Sequence, residues 1–425
     1  MKPASIAIDI TPLQISREFR IAFTARLISL VGIGFTTTAL PLQVYAMTRS
    51  SLLVATVAAT AGVSMFAGTL TGGVLADRLD RRRLIIGGRL AATVAFVLLA
   101  ANTVVPEHPL LALIYACAAL NGFLGSFSTV ALQAAAPGFV PPDRLAAAGA
   151  LLAMTAKLGM AISPALAGLI IAVWGFGVNY SITAVAGMLT VAMVWRLPSL
   201  HPPARQGAQG ARSLFADIAA GLSFAARDRT VGPLLLVGFL LLLFASPQVL
   251  IPAFNDRVLD GSEFTAGLLY AAPATGAAVG SLTSGWTGRV RHTGSFLLGA
   301  VAVCGGAVVG LGIAPTLVAA LVALTFFGVG QIVEEILRYA LLQSHTPDAL
   351  RGRVNSLWTA QATAGGALGS LTLGAIVPLV GVSTAIVIGG AATVAAVTVI
   401  VVSLPGLRRA GVAPAVPGND SGISS

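Results

Sequence analysis

Glu334 and Glu335 are neighbouring carboxylates inside the apolar run 315–340. Two acids withdrawn from water together cannot both stay ionised cheaply, so the pair is a candidate for taking up and releasing protons. Arg338 follows them by four and three residues, spacings that share a helix face, so neutralisation of one acid by this arginine is the competing reading. Lys157, one of only two lysines, lies midway along the apolar run 145–173. A compact ammonium there can attract an anionic ligand or pair with a carboxylate. Arg26, in the first apolar run, is a second cationic candidate for ligand binding, with snorkelling to the interface as its alternative. The uncharged candidates for a binding cavity are Asn121, Ser126, Gln331, Trp358 and Gln361. Trp358 and Gln361 stand one helical turn apart and can offer a ring and an amide to a flat ligand, although helix-packing polar residues follow the same pattern.

This chemistry is binding and proton movement, not bond making. The chain has no Gly-x-x-x-x-Gly-Lys phosphate loop, no His-Glu-x-x-His and no Gly-x-Ser-x-Gly, and His108, His201, His292 and His345 all fall near helix ends or in loops. No catalytic residues, cofactor or ATP use is expected. Cys117 and Cys304 are far apart inside apolar runs, with neither a disulfide framework nor metal-ligand spacing, and read as small core residues.

The elements that must position these residues are membrane helices. A chain of 425 residues that is 56% hydrophobic and 9% charged cannot fold in water without exposing apolar surface. A helix needs roughly 20 apolar residues to cross a bilayer. Twelve stretches qualify: Ile21 to Ala46, 52–76, 84–104, 110–134, 145–173, 178–197, 231–254, 264–288, 295–313, 315–340, 353–377 and Gly381 to Leu404. The predicted fold is an all-α membrane protein of two six-helix bundles, 19–197 and 231–404, joined by a cytoplasmic linker over 198–230 and followed by a disordered cytoplasmic tail over 405–425. Within the linker, Ser213 to Arg227 carries apolar residues at helical spacing and reads as an amphipathic surface helix or a plain connector.

With the N-terminus inside, all of the 25 Lys and Arg except Arg49, Arg257 and Lys157 fall at or near the cytoplasmic side. The expected location is therefore the inner, cytoplasmic membrane, multi-pass, with both termini cytoplasmic. The net charge of +10 reports this topology and contact with anionic lipid, not a nucleic-acid partner. Residues 1–18 lack the pattern of a removable signal peptide, so the first helix is expected to be the targeting signal. The abundant glycines allow monomer packing or dimer contacts equally, and a monomer is the simpler expectation.

Two internal matches relate the halves. Leu132-Gln133 with Pro137 reappears as Leu342-Gln343 with Pro347, and the Pro-Asp-x-Leu sequence from Pro142 to Leu145 reappears from Pro347 to Leu350, at offsets of 205 to 210 residues.

The loop after the second stretch reads Gly73-Val74-Leu75-Ala76-Asp77-Arg78-Leu79-Asp80-Arg81-Arg82-Arg83. It resembles the signature loop of the major facilitator superfamily, with Asp80 where a second glycine is usual. On that reading Gly73 permits a close helix approach, Asp77 latches the two halves against a partner near Arg351 to Arg353, and Arg78, Arg81 and Arg82 face the cytoplasm and lipid phosphates. In the fifth stretch, Gly159, Ser163-Pro164 and Ala167-Gly168 resemble the Gly-x-x-x-Gly-Pro-x-x-Gly-Gly element of proton-linked exporters in that superfamily, in which Pro164 and the small residues suit a kink or gate. Phe23 to Ser29, the signature loop and Thr346 to Gln361 together look like its enterobactin exporter branch.

The resemblance implies secondary active export of a small molecule of the catecholate siderophore class across the inner membrane, by proton-coupled antiport. A broad-specificity multidrug or metabolite efflux pump is the alternative within the transporters, and a non-transporting membrane sensor is the alternative outside them.

Overall fold

The computed structural model describes residues 10–105, 109–200, 219, 221–228, 230–285, 290 and 292–411. Hydrocarbon offers the backbone no hydrogen-bond partner, so a chain this apolar satisfies its own amides within helices. The helices are α1 (Thr11–Ile15), α2 (Arg17–Thr48), α3 (Ser51–Ala76), α4 (Arg81–Asn102), α5 (Leu111–Ala135), α6 (Leu145–Trp195) and α7 (221–227). After these come α8 (Val231–Phe244), α9 (Ile251–Arg257), α10 (Glu263–Leu282), α11 (Thr293–Gly312), α12 (Leu317–His345), α13 (Asp348–Val380), α14 (Val382–Ser403) and α15 (Pro405–Arg409). Several start where a short polar side chain takes up a free amide: Phe19 N–H donates to Ser16 Oγ at 3.0 Å, Arg82 N–H to Asp80 Oδ1 at 2.9 Å, and Ala319 N–H to Thr316 Oγ1 at 3.3 Å.

Among the described residues ten segments are long and apolar enough to cross a membrane. One of them contains α6, whose 51 residues would extend about 75 Å, more than twice the roughly 30 Å of hydrocarbon. It is two passes folded at Gly175, where φ of +81° and ψ of 176° turn the chain in a single residue. Gly381, with φ of +84°, makes the same turn between α13 and α14. These glycines are 206 residues apart, inside the offset of the sequence matches. Arg49 and Asp260, the two non-glycine positions with positive φ among the described residues, form a similar pair, each just after the first pass of its half. With α6 counted as two and α10 added, the described residues supply twelve helical passes.

Three expectations need correction. The stretch 231–254 is not one continuous helix: α8 stops at Phe244, a 3-10 turn covers Pro247–Leu250, and α9 resumes. Pro247 and Pro252 carry no amide hydrogen for the ladder, and the break brings Gln248 into the space between the halves. The tail does not lose order at 405: α15 docks on α11 with Leu407 buried, Gly294 N–H donates to Ala410 O at 3.0 Å and Ser295 Oγ to Arg408 O at 2.9 Å. An apolar residue and two backbone acceptors hold it. Finally, Gly73 approaches no neighbouring helix among the described residues, and the close contact belongs to Gly72, where a Cβ would stand 2.9 Å from the Phe127 ring. Of the linker, only 198–200, 219, 221–228 and 230 lie within the described residues, with 221–227 helical, and a Cβ at Gly221 would meet Arg353 O at 2.9 Å.

The two halves meet along α6 against α10 and α3 against α13. Both seams are made by missing side chains. A Cβ at Gly168 would stand 2.7 Å from Gly267 Cα, and one at Gly374 would stand 2.7 Å from Ala55 Cβ.

Candidate functional site

Between the halves lies a cavity of about 570 Å³. Its wall comes mainly from α2, α3, α4, α5 and the second arm of α6, and the other half adds Gln248, Val249, Tyr270 and Ser370. An adjoining space of about 380 Å³ shares Ala58, Gly62, Met65, Gln248 and Ser370 with it and extends to Gln331 and Thr363. Tyr270 Oη donates to the Gln248 carbonyl at 3.0 Å, tying the broken seventh pass to α10 at the cavity wall.

One end of this cavity is fastened. Arg49 pairs with Asp256 across the halves, Tyr45 Oη donates to Asp256 Oδ2 at 3.5 Å, and Arg257 Nη2 donates to Arg49 O at 3.4 Å. The Arg49 guanidinium is held above its ordinary pKa by its hydrogen bond to Asp256 and by that residue's charge. The glycine seams at Gly168 and Gly374 lie toward the same end.

At the other end no ion pair joins the halves among the described residues. Asp77 is exposed and its carboxylate has no partner among the described residues. Arg351, one of its expected partners, pairs instead with Asp348 at 2.8 Å. The rest of the signature loop is secured within its own half. Arg81 donates to Ala76 O at 3.1 Å and Ala134 O at 2.7 Å, Arg82 donates to Trp195 O, and Asp80 accepts from Leu200 N–H at 3.0 Å; Arg78 is exposed.

The acidic pair does not share one site. Glu334 is buried and Glu335 exposed, because successive helix residues point about 100° apart. The expectation of two carboxylates buried together is therefore corrected. Arg338 Nε lies 2.5 Å from Glu334 Oε1, an ionic contact without the alignment of a hydrogen bond. The guanidinium also lies 4.0 Å over the Trp358 ring, and Tyr339 meets the same ring edge-on with centroids 6.0 Å apart. Space for it comes from α8, since a Cβ at Gly238 would stand 1.9 Å from Arg338 Nη1 and 2.8 Å from Gln361 Nε2. Both amide atoms of Gln361 are buried with no hydrogen-bond partner. Trp358 and Gln361 thus belong to this cluster and not to the cavity wall, whereas Asn121 and Ser126 line the main cavity and Gln331 the adjoining one. Glu335 stands one turn along α12 from Gln331.

Lys157 and Arg26 are half-buried, with no carboxylate partner among the described residues, and neither lines the cavity. The exporter-motif residues are packing residues with two destinations. Gly159 and Ser163 face α2, where a Cβ at Gly159 would stand 3.1 Å from Leu30 Cβ, while the Pro164 carbonyl and Gly168 face Gly267 in the opposite half. Cys117 reaches the cavity wall and Cys304 packs between α11 and α12, its Sγ 3.7 Å from Phe327 O.

Arg89 was not among the residues selected from the sequence. It is half-buried on α4, lines the main cavity and donates from Nε to Ser128 Oγ at 3.3 Å. The signal was present, since Arg89 interrupts the apolar stretch 84–104. A second set, Gln43 with Tyr180 and Asn179, is fully packed inside the first half, with Tyr180 Oη donating to Gln43 Oε1 at 2.7 Å.

The profile of the family described as Major Facilitator Superfamily matches residues 22–370. Proteins named Enterobactin exporter EntS from Shigella boydii serotype 4 (strain Sb227) and Escherichia coli O157:H7 (strain EC4115 / EHEC) are 36% identical over 377 and 376 residues, covering 88% of this chain and 89% of theirs. The chain also superposes on the crystal structure of a POT family transporter in complex with 5-aminolevulinic acid, with a TM-score of 0.71, 12% identity, and coverage of 92% of this chain and 97% of that one. For the nucleoside transporter NupG the TM-score is 0.74, the identity 13% and the coverage 91% and 98%. At such identities these two structures share the fold.

Proposed function

The chain belongs to the major facilitator superfamily, and from that premise we propose that it is a secondary active exporter of a catecholate-type siderophore. The observation that carries the substrate class is the 36% identity over 88% of the chain to proteins named as enterobactin exporters. The proposed location is the inner membrane with both termini cytoplasmic, which makes the Asp77 end the cytoplasmic one. The cavity is then fastened outside and unlatched inside, as required of an exporter waiting to load. Bundles 19–197 and 231–404 would rock about this cavity, with 198–230 as their cytoplasmic connector, and the transporter would act as a monomer surrounded by lipid.

Proton coupling is assigned to Glu334. A buried carboxylate that can exchange Arg338 for a proton gives the second half two discrete arrangements, with Trp358 and the unpartnered amide of Gln361 ready to hold the released guanidinium. Asp77 would latch the cytoplasmic end in the opposite conformation.

The test is efflux of a radiolabelled iron-free catecholate siderophore from deletion and complemented cells, with and without a protonophore. Retention in the deletion strain, rescue by complementation and loss of that rescue with protonophore are expected. Unchanged secretion would end the siderophore reading. The largely apolar wall of the cavity, with Ile33, Leu40, Met65 and Phe96, favours broad-specificity efflux as the second reading, and drug sensitivity of the deletion strain would identify it.

A further inference from the structure

Among the described residues Arg89 is the only formally charged one in the wall of the main cavity, and the adjoining cavity has none. Among the described residues no carboxylate lies within 4.0 Å of its guanidinium. An arginine at this depth is expensive without an opposite charge. Arg338, in the other half, meets that cost with Glu334. Among the described residues its one side-chain partner is a hydroxyl: Nε donates to Ser128 Oγ, which is itself buried. The two terminal nitrogens keep their hydrogens for something else.

The surroundings limit what that can be. Thr93, one turn on, uses its hydroxyl on the Arg89 carbonyl at 2.8 Å, and Phe96, two turns on along the same face, adds an aromatic ring to the cavity wall. Asn121 and Ser126 of α5 line the same space. A ligand that satisfies this corner brings oxygens to the guanidinium and a flat apolar body toward Phe96.

We propose that Arg89 is the anion-recognition residue of the central cavity, binding two neighbouring oxygens of the cargo through its terminal nitrogens. A planar guanidinium donates two parallel hydrogen bonds, and a catecholate presents two vicinal oxygens as a carboxylate presents its pair. A carboxylate brings the missing counter-charge with it, and a catechol brings it once one hydroxyl beside the guanidinium has released its proton to water, so an empty cavity is the costly state and an anion-loaded one is relieved. This identification rests on the siderophore reading above only for the choice of catecholate; the recognition of paired anionic oxygens follows from the cavity itself.

The experiment is equilibrium binding to the purified full-length protein in detergent. The probes are a radiolabelled iron-free tris-catecholate siderophore, its fully O-methylated ether, and an aromatic monocarboxylate with its methyl ester. Wild type is expected to prefer the catecholate to its ether by about 10- to 100-fold. Arg89→Gln should bring the catecholate to the level of the ether and leave the ether unchanged, which also controls for folding. Undiminished discrimination in Arg89→Gln would overturn the proposal. If wild type ignores the catecholate but prefers the carboxylate to its ester in an Arg89-dependent way, the anion site stands and the siderophore reading falls. If neither anion binds more tightly than its uncharged counterpart, the anion site itself falls. Should Arg89→Gln fail to elute as a monodisperse species, Arg89→Lys, which keeps the charge without the fork, should lower the discrimination severalfold, and no change would again overturn the assignment.

Discussion

Arg49, at the end of the first pass, forms an ion pair with Asp256, at the end of the seventh, and so joins the two halves at the end where Tyr45 and the glycine seams also meet. At the opposite end Asp77 has no such partner among the described residues, and Arg351 is occupied by Asp348. On the export reading proposed above, this asymmetry is one conformation of a two-ended device.

Both members of the Arg49–Asp256 pair keep solvent contact, with side chains 63% and 40% exposed, so the pair is worth no more than about 1 kcal/mol. Asp256→Asn or Arg49→Gln should therefore shift the balance between conformations by a few-fold without blocking either. Spin labels across the two loops would report the shift as a larger population of long distances, and the exchanged pair, Arg49→Asp with Asp256→Arg, should reverse it. An unchanged distance distribution in both single variants would remove the pair from the gate.

Glu334 and Glu335 should separate in function as they do in burial. Removing one partner of a buried pair costs about 3–5 kcal/mol, so Glu334→Ala should lower the thermal midpoint in detergent markedly, whereas Glu335→Gln should change it little. Glu334→Gln should abolish protonophore-sensitive efflux and Glu335→Gln should retain it. Retained sensitivity in Glu334→Gln would move coupling to another group.

Gly168 leaves no room for a side chain against Gly267 and Glu263 O. Gly168→Val should fold, because the residue lies within a helix, yet fail to close the seam between α6 and α10. Cysteine labelling from outside should rise while transport falls below about a tenth of wild type, a loss of more than about 1.4 kcal/mol. Normal transport would mean the seam is not used in the cycle.

Gly72 and Gly73 offer a direct comparison of neighbours. Overpacking costs about 1–3 kcal/mol, so Gly72→Val, pressed against Phe127, should destabilise by that amount. Gly73→Ala meets nothing within 4 Å and should be neutral or stabilising by up to about 1 kcal/mol, as expected for replacing glycine in a helix. Thermal unfolding of the two variants side by side checks both.

The membrane passes were legible because a bilayer penalises every unpaired backbone amide, leaving long apolar helices as the solution and their lengths visible in composition. The signature loop was legible for the same local reason, its arginines and Asp77 being consecutive. What depended on facing was not. Glu334 and Glu335 are adjacent in sequence but point apart, and the partner that makes room for Arg338 is Gly238, one hundred residues upstream. The break at Ser246–Pro247 was missed because the flanking residues are apolar enough to conceal it. Arg89 was missed although it is a charge within an apolar stretch, the feature that drew attention to Lys157; its role depends on a cavity assembled from five helices.

The single-residue turn at Gly175 bears on how the chain enters the membrane. A segment with a lysine near its centre inserts reluctantly, since such a charge costs about 2.5–3.5 kcal/mol on the scale of cellular insertion. The arm that carries Lys157 and the apolar arm 176–195 are separated by a turn of a single residue, so each can pair with the other as soon as both are made. The second arm can draw the first across, so this pair of passes is expected to integrate together and not one at a time. Its counterpart around Gly381 would do the same for the second half, which makes each bundle end its synthesis with a paired insertion step.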